Sequence, residues 1–119
     1  MADRCNGGQC QPGASVTAGT LSTLITAGVN GSLADCRSDK RKQVKKVVNP
    51  LTNAAKAFSR AEVAGVGTKK WTKQVAKGEK TIGTARSKLT RVQAKLSSAC
   101  VSTLEEAIRT GALGDACLR

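Results

Sequence analysis

Five cysteines (Cys5, Cys10, Cys36, Cys100, Cys117) and twenty Lys/Arg are the residues of this 119-residue chain whose types could do chemistry. Histidine is absent. Thiols can bind a metal, attack an electrophile or join each other. Structural zinc sites use close pairs such as C-x2-C, usually with His. Here the one close pair, Cys5 and Cys10, is separated by four residues. A nucleophilic thiol wants a neighbouring base, most often His. Glu105 and Glu106 are adjacent, so on a helix they point apart and cannot work as an acid/base pair. No phosphate-cradling G-x-x-x-x-G-K-[ST] occurs. The expectation is a protein that is not an enzyme, with no metal and no cofactor, whose cysteines form disulfides.

The basic residues are the second chemical feature. The net charge is +12, and sixteen of the twenty Lys/Arg lie between residues 38 and 96, against Asp39, Glu62 and Glu79 as the acids of that stretch. Such one-sided charge predicts affinity for an anionic partner. At 100° per residue, Lys73, Lys77, Lys80, Lys88, Arg91 and Lys95 fall in one sector of a helix. They are the candidate anion-binding face, with Lys42, Lys45, Lys46, Lys56 and Arg60 on a neighbouring helix. A plain solvated face would look similar, but it would normally carry acids at i+4 to pair the cations, and these are nearly missing. With Phe58 and Trp71 the only aromatics, no platform for base stacking exists. Lys exceeds Arg on this face, which disfavours bidentate base reading. Acidic polysaccharide or another anionic surface polymer is therefore expected ahead of nucleic acid. No apolar run is long enough for a membrane span.

Two helices must carry that face. Trp71, Val75, Gly78, Ile82, Ala85, Leu89, Val92, Leu96 and Ala99 step by 4 and 3 along one arm, which keeps one side against a partner. Val44, Val47, Val48, Leu51, Ala54, Ala55, Phe58 and Ala61 do the same on the other arm. Ala64-Gly65-Val66-Gly67 separates them, so residues 38–99 read as an antiparallel helical hairpin. Asn49-Pro50 interrupts the first arm without changing its phase, predicting a kink with a fresh start capped by Asn49.

Short helices are expected on both sides of the hairpin. Ser15 to Asp35 offers Leu21, Leu24, Ile25, Ala27 and Leu33 as an apolar side. Its Gly and Thr content makes intrinsic helicity poor. Residues 21–35 align with 101–115, matching Ser22, Thr23, Leu24, Ala27, Gly31, Leu33 and Asp35 to Ser102, Thr103, Leu104, Ala107, Gly111, Leu113 and Asp115. The alignment reads as two copies of a helix, a glycine stop and a closing Asp, placed at the open end of the hairpin. Convergence on helix-cap residues would produce the same matches. Ser102 and Glu105 form a capping-box pattern, predicting a helix start near Ser102 after a bend at Ser97-Ser98, and a stop at Gly111.

In such a hairpin Cys36 and Cys100 both fall at the open end, and a Cys36–Cys100 disulfide would staple it. Cys5 and Cys10, with Gly7-Gly8 between them, suit a local disulfide. Pairing of Cys117 with Cys5 or Cys10 is the competing connectivity. Asp3-Arg4-Cys5-Asn6-Gly7-Gly8-Gln9-Cys10 with Pro12-Gly13 resembles the closing third of the Cys- and Asp-Gly-rich repeats of bacterial secreted or cell-surface proteins. That resemblance implies an extracellular or cell-surface setting and says nothing about chemistry. Cysteine usage points the same way, and with no apolar leader after Met1 the export signal would belong to a removed upstream region.

The expected architecture is all-α: a polar Cys-bearing tail (residues 1–14) and one disulfide-stapled, up-and-down bundle of about four helices (residues 15–119). The expected role is a non-catalytic structural or binding module of an exported bacterial protein. The alternative is an intracellular, nonspecific nucleic-acid-binding protein with reduced thiols.

Overall fold

The computed structural model describes residues 17–118, the side chain of Cys117 excepted. Four helices follow in order: α1 (Ala18–Asp35), α2 (Arg41–Ala64), α3 (Lys69–Val92) and α4 (Ser98–Leu118), with a 3-10 turn at Gln93–Lys95 between the last two. They form an up-and-down bundle. Helix α2 packs against α1 on one side and α3 on the other, and α4 closes the ring against α1 and α3.

The hairpin forms where the 3–4 spacing places it. Val44, Val47, Val48, Leu51, Ala54, Ala55, Ala57, Phe58 and Ala61 are buried on α2. Val75, Gly78, Ile82, Ala85, Leu89 and Val92 are buried on α3, with half-buried Trp71 packed against the core. The turn works because Gly65 and Gly67 both adopt φ of +91°, a backbone region that residues with a Cβ avoid. The Gly65 amide donates to the Ala61 carbonyl and ends α2. Thr68 starts α3, its hydroxyl oxygen accepting from the Trp71 amide at 3.1 Å. At the crossing of the arms, a Cβ on Gly78 would stand 2.6 Å from Cζ of the fully buried Phe58, so glycine is what lets the ring lie there.

Several local expectations are corrected. Helix α2 runs through Pro50 without a fresh start at Asn49. The seam on both sides of the proline is buried, so packing offsets the lost amide. The second arm does not continue to Ala99, because the α-helix ends at Val92. Leu96 is half-buried beyond that break and Ala99 is exposed. Helix α4 starts at Ser98 rather than near Ser102, and its first turn is served by Ser97, whose hydroxyl accepts from the Cys100 amide at 3.3 Å. Neither Gly31 nor Gly111 stops a helix, since α1 continues to Asp35 and α4 to Leu118.

The outer helices also lie differently from the expectation. They run alongside the hairpin rather than only at its open end: the α1 amide of Gly19 donates to Glu62 near the hairpin turn, while Cys36 reaches Cys100 at the other end. The buried face of α1 is Ala18, Leu21, Ile25, Val29 and Ser32, continued by Cys36. Leu24 and Leu33 are exposed at 44% and 46%, and Ala27 is exposed as well. Because α1 packs on both α2 and α4, its face follows Leu21, Ile25 and Val29 at i+4, a register that leaves Leu24 outside.

Candidate anion-binding face

The candidate face depends on where the carboxylates go, and the fold uses them to hold helices together. Glu62 on α2 accepts from the Gly19 amide at 3.0 Å, satisfying a first-turn donor of α1 from a neighbouring helix. Asp39, in the α1–α2 connection, accepts from the Ser97 amide (2.7 Å) and hydroxyl (2.9 Å) at the start of α4. Asp35 at the end of α1 accepts from the Thr103 hydroxyl of α4. These bonds join segments 43, 58 and 68 residues apart in sequence. An ion pair between Arg109 and Glu106 spans 3.8 Å on exposed α4 surface.

The lysines are thereby left as a one-signed surface. Lys73, Lys77, Lys80 and Arg91 are exposed along α3, and Lys88 is half-buried beside α2. Lys95 is exposed in the 3-10 turn that follows the end of α3 at Val92. Neither α2 nor α3 has an acid in its first turn. Those turns instead hold Arg41 and Lys42, and Lys69 and Lys70. Cations there oppose the helix dipole, so this placement is not one that helix stability alone would favour.

Between the two arms the face sinks into a groove of about 300 Å³, walled by Lys45, Lys46, Asn49 and Asn53 of α2 and Thr81, Thr84 and Lys88 of α3, with Pro50 also lining it. The Lys46, Asn49 and Asn53 steps and the Thr81, Thr84 and Lys88 steps are helical repeats, so each wall is one edge of a helix beside its buried seam. Sequence reasoning picked out Lys88 and Lys45/Lys46. It missed the asparagines and threonines, which have no charge pattern to betray them and share a site only because two helices bring them together.

The cysteine expectations divide. Cys36 and Cys100 lie at disulfide distance, with Cα atoms 4.7 Å apart and 64 residues between them in sequence. Cys36 ends α1, its amide donating to the Ser32 carbonyl, while Cys100 occupies the first turn of α4 and is fully buried. Asp39 completes a compact group with the two sulfurs, ligand atoms within 4.8 Å of one another. Both Asp39 oxygens already accept from Ser97, which makes this group a tie between α1, its following connection and α4. The expected Cys5–Cys10 pair and the polar tail lie outside the described residues, as does the side chain of Cys117.

Among the described residues no helix is long and apolar enough to cross a membrane. No protein-family model, curated protein or solved structure matches this chain.

Proposed function

We propose that this protein is a non-catalytic binding module, exported from a bacterial cell, whose α2–α3 face engages anionic surface polymers such as acidic polysaccharide. One observation carries the proposal: Asp35, Asp39 and Glu62 bond to backbone amides and hydroxyls of other segments, while between Lys73 and Arg91 the single acid, Glu79, stands against Lys73, Lys77, Lys80, Arg86, Lys88 and Arg91. An external polyanion is the natural complement of such a surface. Export is supported by the Cys36–Cys100 pair, since disulfides persist in oxidising compartments, and by the likeness of residues 3–13 to bacterial surface-protein repeats.

The test is retention on immobilised heparin, a stand-in acidic polysaccharide, for the wild type and for K73E/K77E/K80E/K88E, with helical content checked by circular dichroism. The variant is expected to elute at much lower salt, because each reversal removes a favourable charge and adds a repulsive one. Unchanged retention would remove the proposal. A thiol count on the protein purified from its native source addresses the setting: Cys36 joined to Cys100 is expected, and five free thiols would redirect attention to intracellular nucleic acid.

A further inference from the structure

The geometry points to the α2–α3 groove as a subsite for one acidic sugar unit of a polysaccharide, a uronate, in which lysines take the carboxylate and a row of acceptors takes the sugar hydroxyls. This inference rests on the anion-binding role proposed above and narrows its ligand class.

Lys45, Lys46 and Lys88 bring positive charge to both walls of the groove. If cations were the whole lining, any polyanion would serve, phosphate polymers included. The remaining polar groups are of a different kind. The Thr81 hydroxyl donates to the Lys77 carbonyl at 2.5 Å and also lies 3.3 Å from the Gly78 carbonyl. The Thr84 hydroxyl donates to the Lys80 carbonyl at 3.2 Å. A hydroxyl has one proton, so what these two threonine oxygens have left to offer a ligand is acceptor lone pairs only. Pro50 has no amide hydrogen, so the Lys46 carbonyl lacks the donor that an α-helix normally supplies four residues on. Asn49 and Asn53 are exposed, and among the described residues their amides enter no hydrogen bond, leaving each an oxygen acceptor and an NH2 donor for a ligand.

A ligand that matches this lining must therefore bring both negative charge and hydroxyl donors. A fully ionised phosphate polymer brings acceptors alone. It can satisfy the lysines, but it leaves the threonine oxygens and the Lys46 carbonyl without donors and sets its own oxygens against them. A uronate unit carries one carboxylate and several hydroxyls, each able to donate and accept. The groove volume of about 300 Å³ admits a group of monosaccharide size.

The experiment compares polygalacturonate with inorganic polyphosphate, at equal ionic strength and equal charge concentration, using the intact protein and its N49A/N53A variant. Both positions are exposed on α2, and alanine favours a helix more than asparagine does, so the variant should fold with its charge unchanged. The expected result is about a tenfold loss of affinity for polygalacturonate and a clearly smaller loss for polyphosphate, which can use the amide donors but not the amide acceptors. Equal effects on the two polymers, or no effect on either, would overturn the subsite while leaving the lysine face intact as a general anion binder. Failure of the wild type to bind either polymer would overturn both the subsite and the role on which it rests. A second variant, P50A, restores an amide opposite the Lys46 carbonyl. It should weaken polygalacturonate binding alone by a smaller factor, and a gain there would count against the inference.

Discussion

The α2–α3 hairpin and the α1–α4 pair solve the same problem with opposite means. The hairpin is held by a continuous apolar seam centred on Phe58, and its turn and crossing need only Gly65, Gly67 and Gly78. Its polar surface is then free to carry a one-signed charge. The outer helices have Thr- and Gly-rich sequences, and polar groups from several segments, Glu62 of α2 among them, hold them in position. Glu62 caps α1, Asp39 binds the start of α4, Asp35 reaches Thr103, and Cys36 meets Cys100. Most of the polar ties therefore reach the outer helices, and most of the hairpin's lysines are left at the surface. The scarcity of acids on the lysine face follows from this division.

Cutting the covalent fastener should break the contrast most visibly. C36A/C100A is expected to lower stability by on the order of 4 kcal/mol in the chain-entropy account of a loop this long. Urea unfolding would measure the loss, and hydrogen exchange should show α1 and α4 losing protection before α2 and α3. Uniform loss across all four helices would contradict the division. Next in size is the hairpin's own weak point. G78A drives a Cβ into the Phe58 ring, at a cost of roughly 1–3 kcal/mol from overpacking, and near-UV signals from Trp71, packed against the same core, should shift with it.

Removal of a polar fastener is expected to cost less. D39A deprives the Ser97 amide and hydroxyl of their acceptor and should destabilise by about 1–2 kcal/mol, read as a lower urea midpoint at unchanged slope. The smallest effects come from a matched pair in the repeat. A Cβ on Gly31 meets nothing within 4 Å, so G31A should stabilise by about 0.5–1 kcal/mol. A Cβ on the aligned Gly111 would meet Ile82 Cδ1 at 3.1 Å, so G111A should gain less or turn destabilising, which thermal melts of the two variants would resolve.

That pair explains why the repeat misled where the hairpin did not. Leu24, Ala27, Gly31 and Asp35 are exposed, whereas their counterparts Leu104, Ala107, Gly111 and Asp115 are buried. The two segments share residues but turn different faces to their neighbours, so matching letters carried no matching environment. The hairpin seam was legible because each of its arms repeats one spacing over many turns, and that regularity survives even Pro50. Helix ends were less legible. The Ser102–Glu105 pattern is a valid cap motif, yet Ser97 starts the helix because Asp39 arrives from elsewhere in the chain to hold it.

By itself the sequence determined that this protein is helical, that residues 38–96 carry its charge, that the two arms fold back at paired glycines and that Cys36 and Cys100 meet at the open end. All of these follow from local periodicity, turn chemistry or antiparallel arithmetic, which act over short stretches or along one straight axis. Only the tertiary structure decided which face α1 buries, where α4 begins, what the acids hold and which uncharged residues join the lysines in one groove. Those outcomes depend on segments distant in sequence meeting at angles that no single helix encodes.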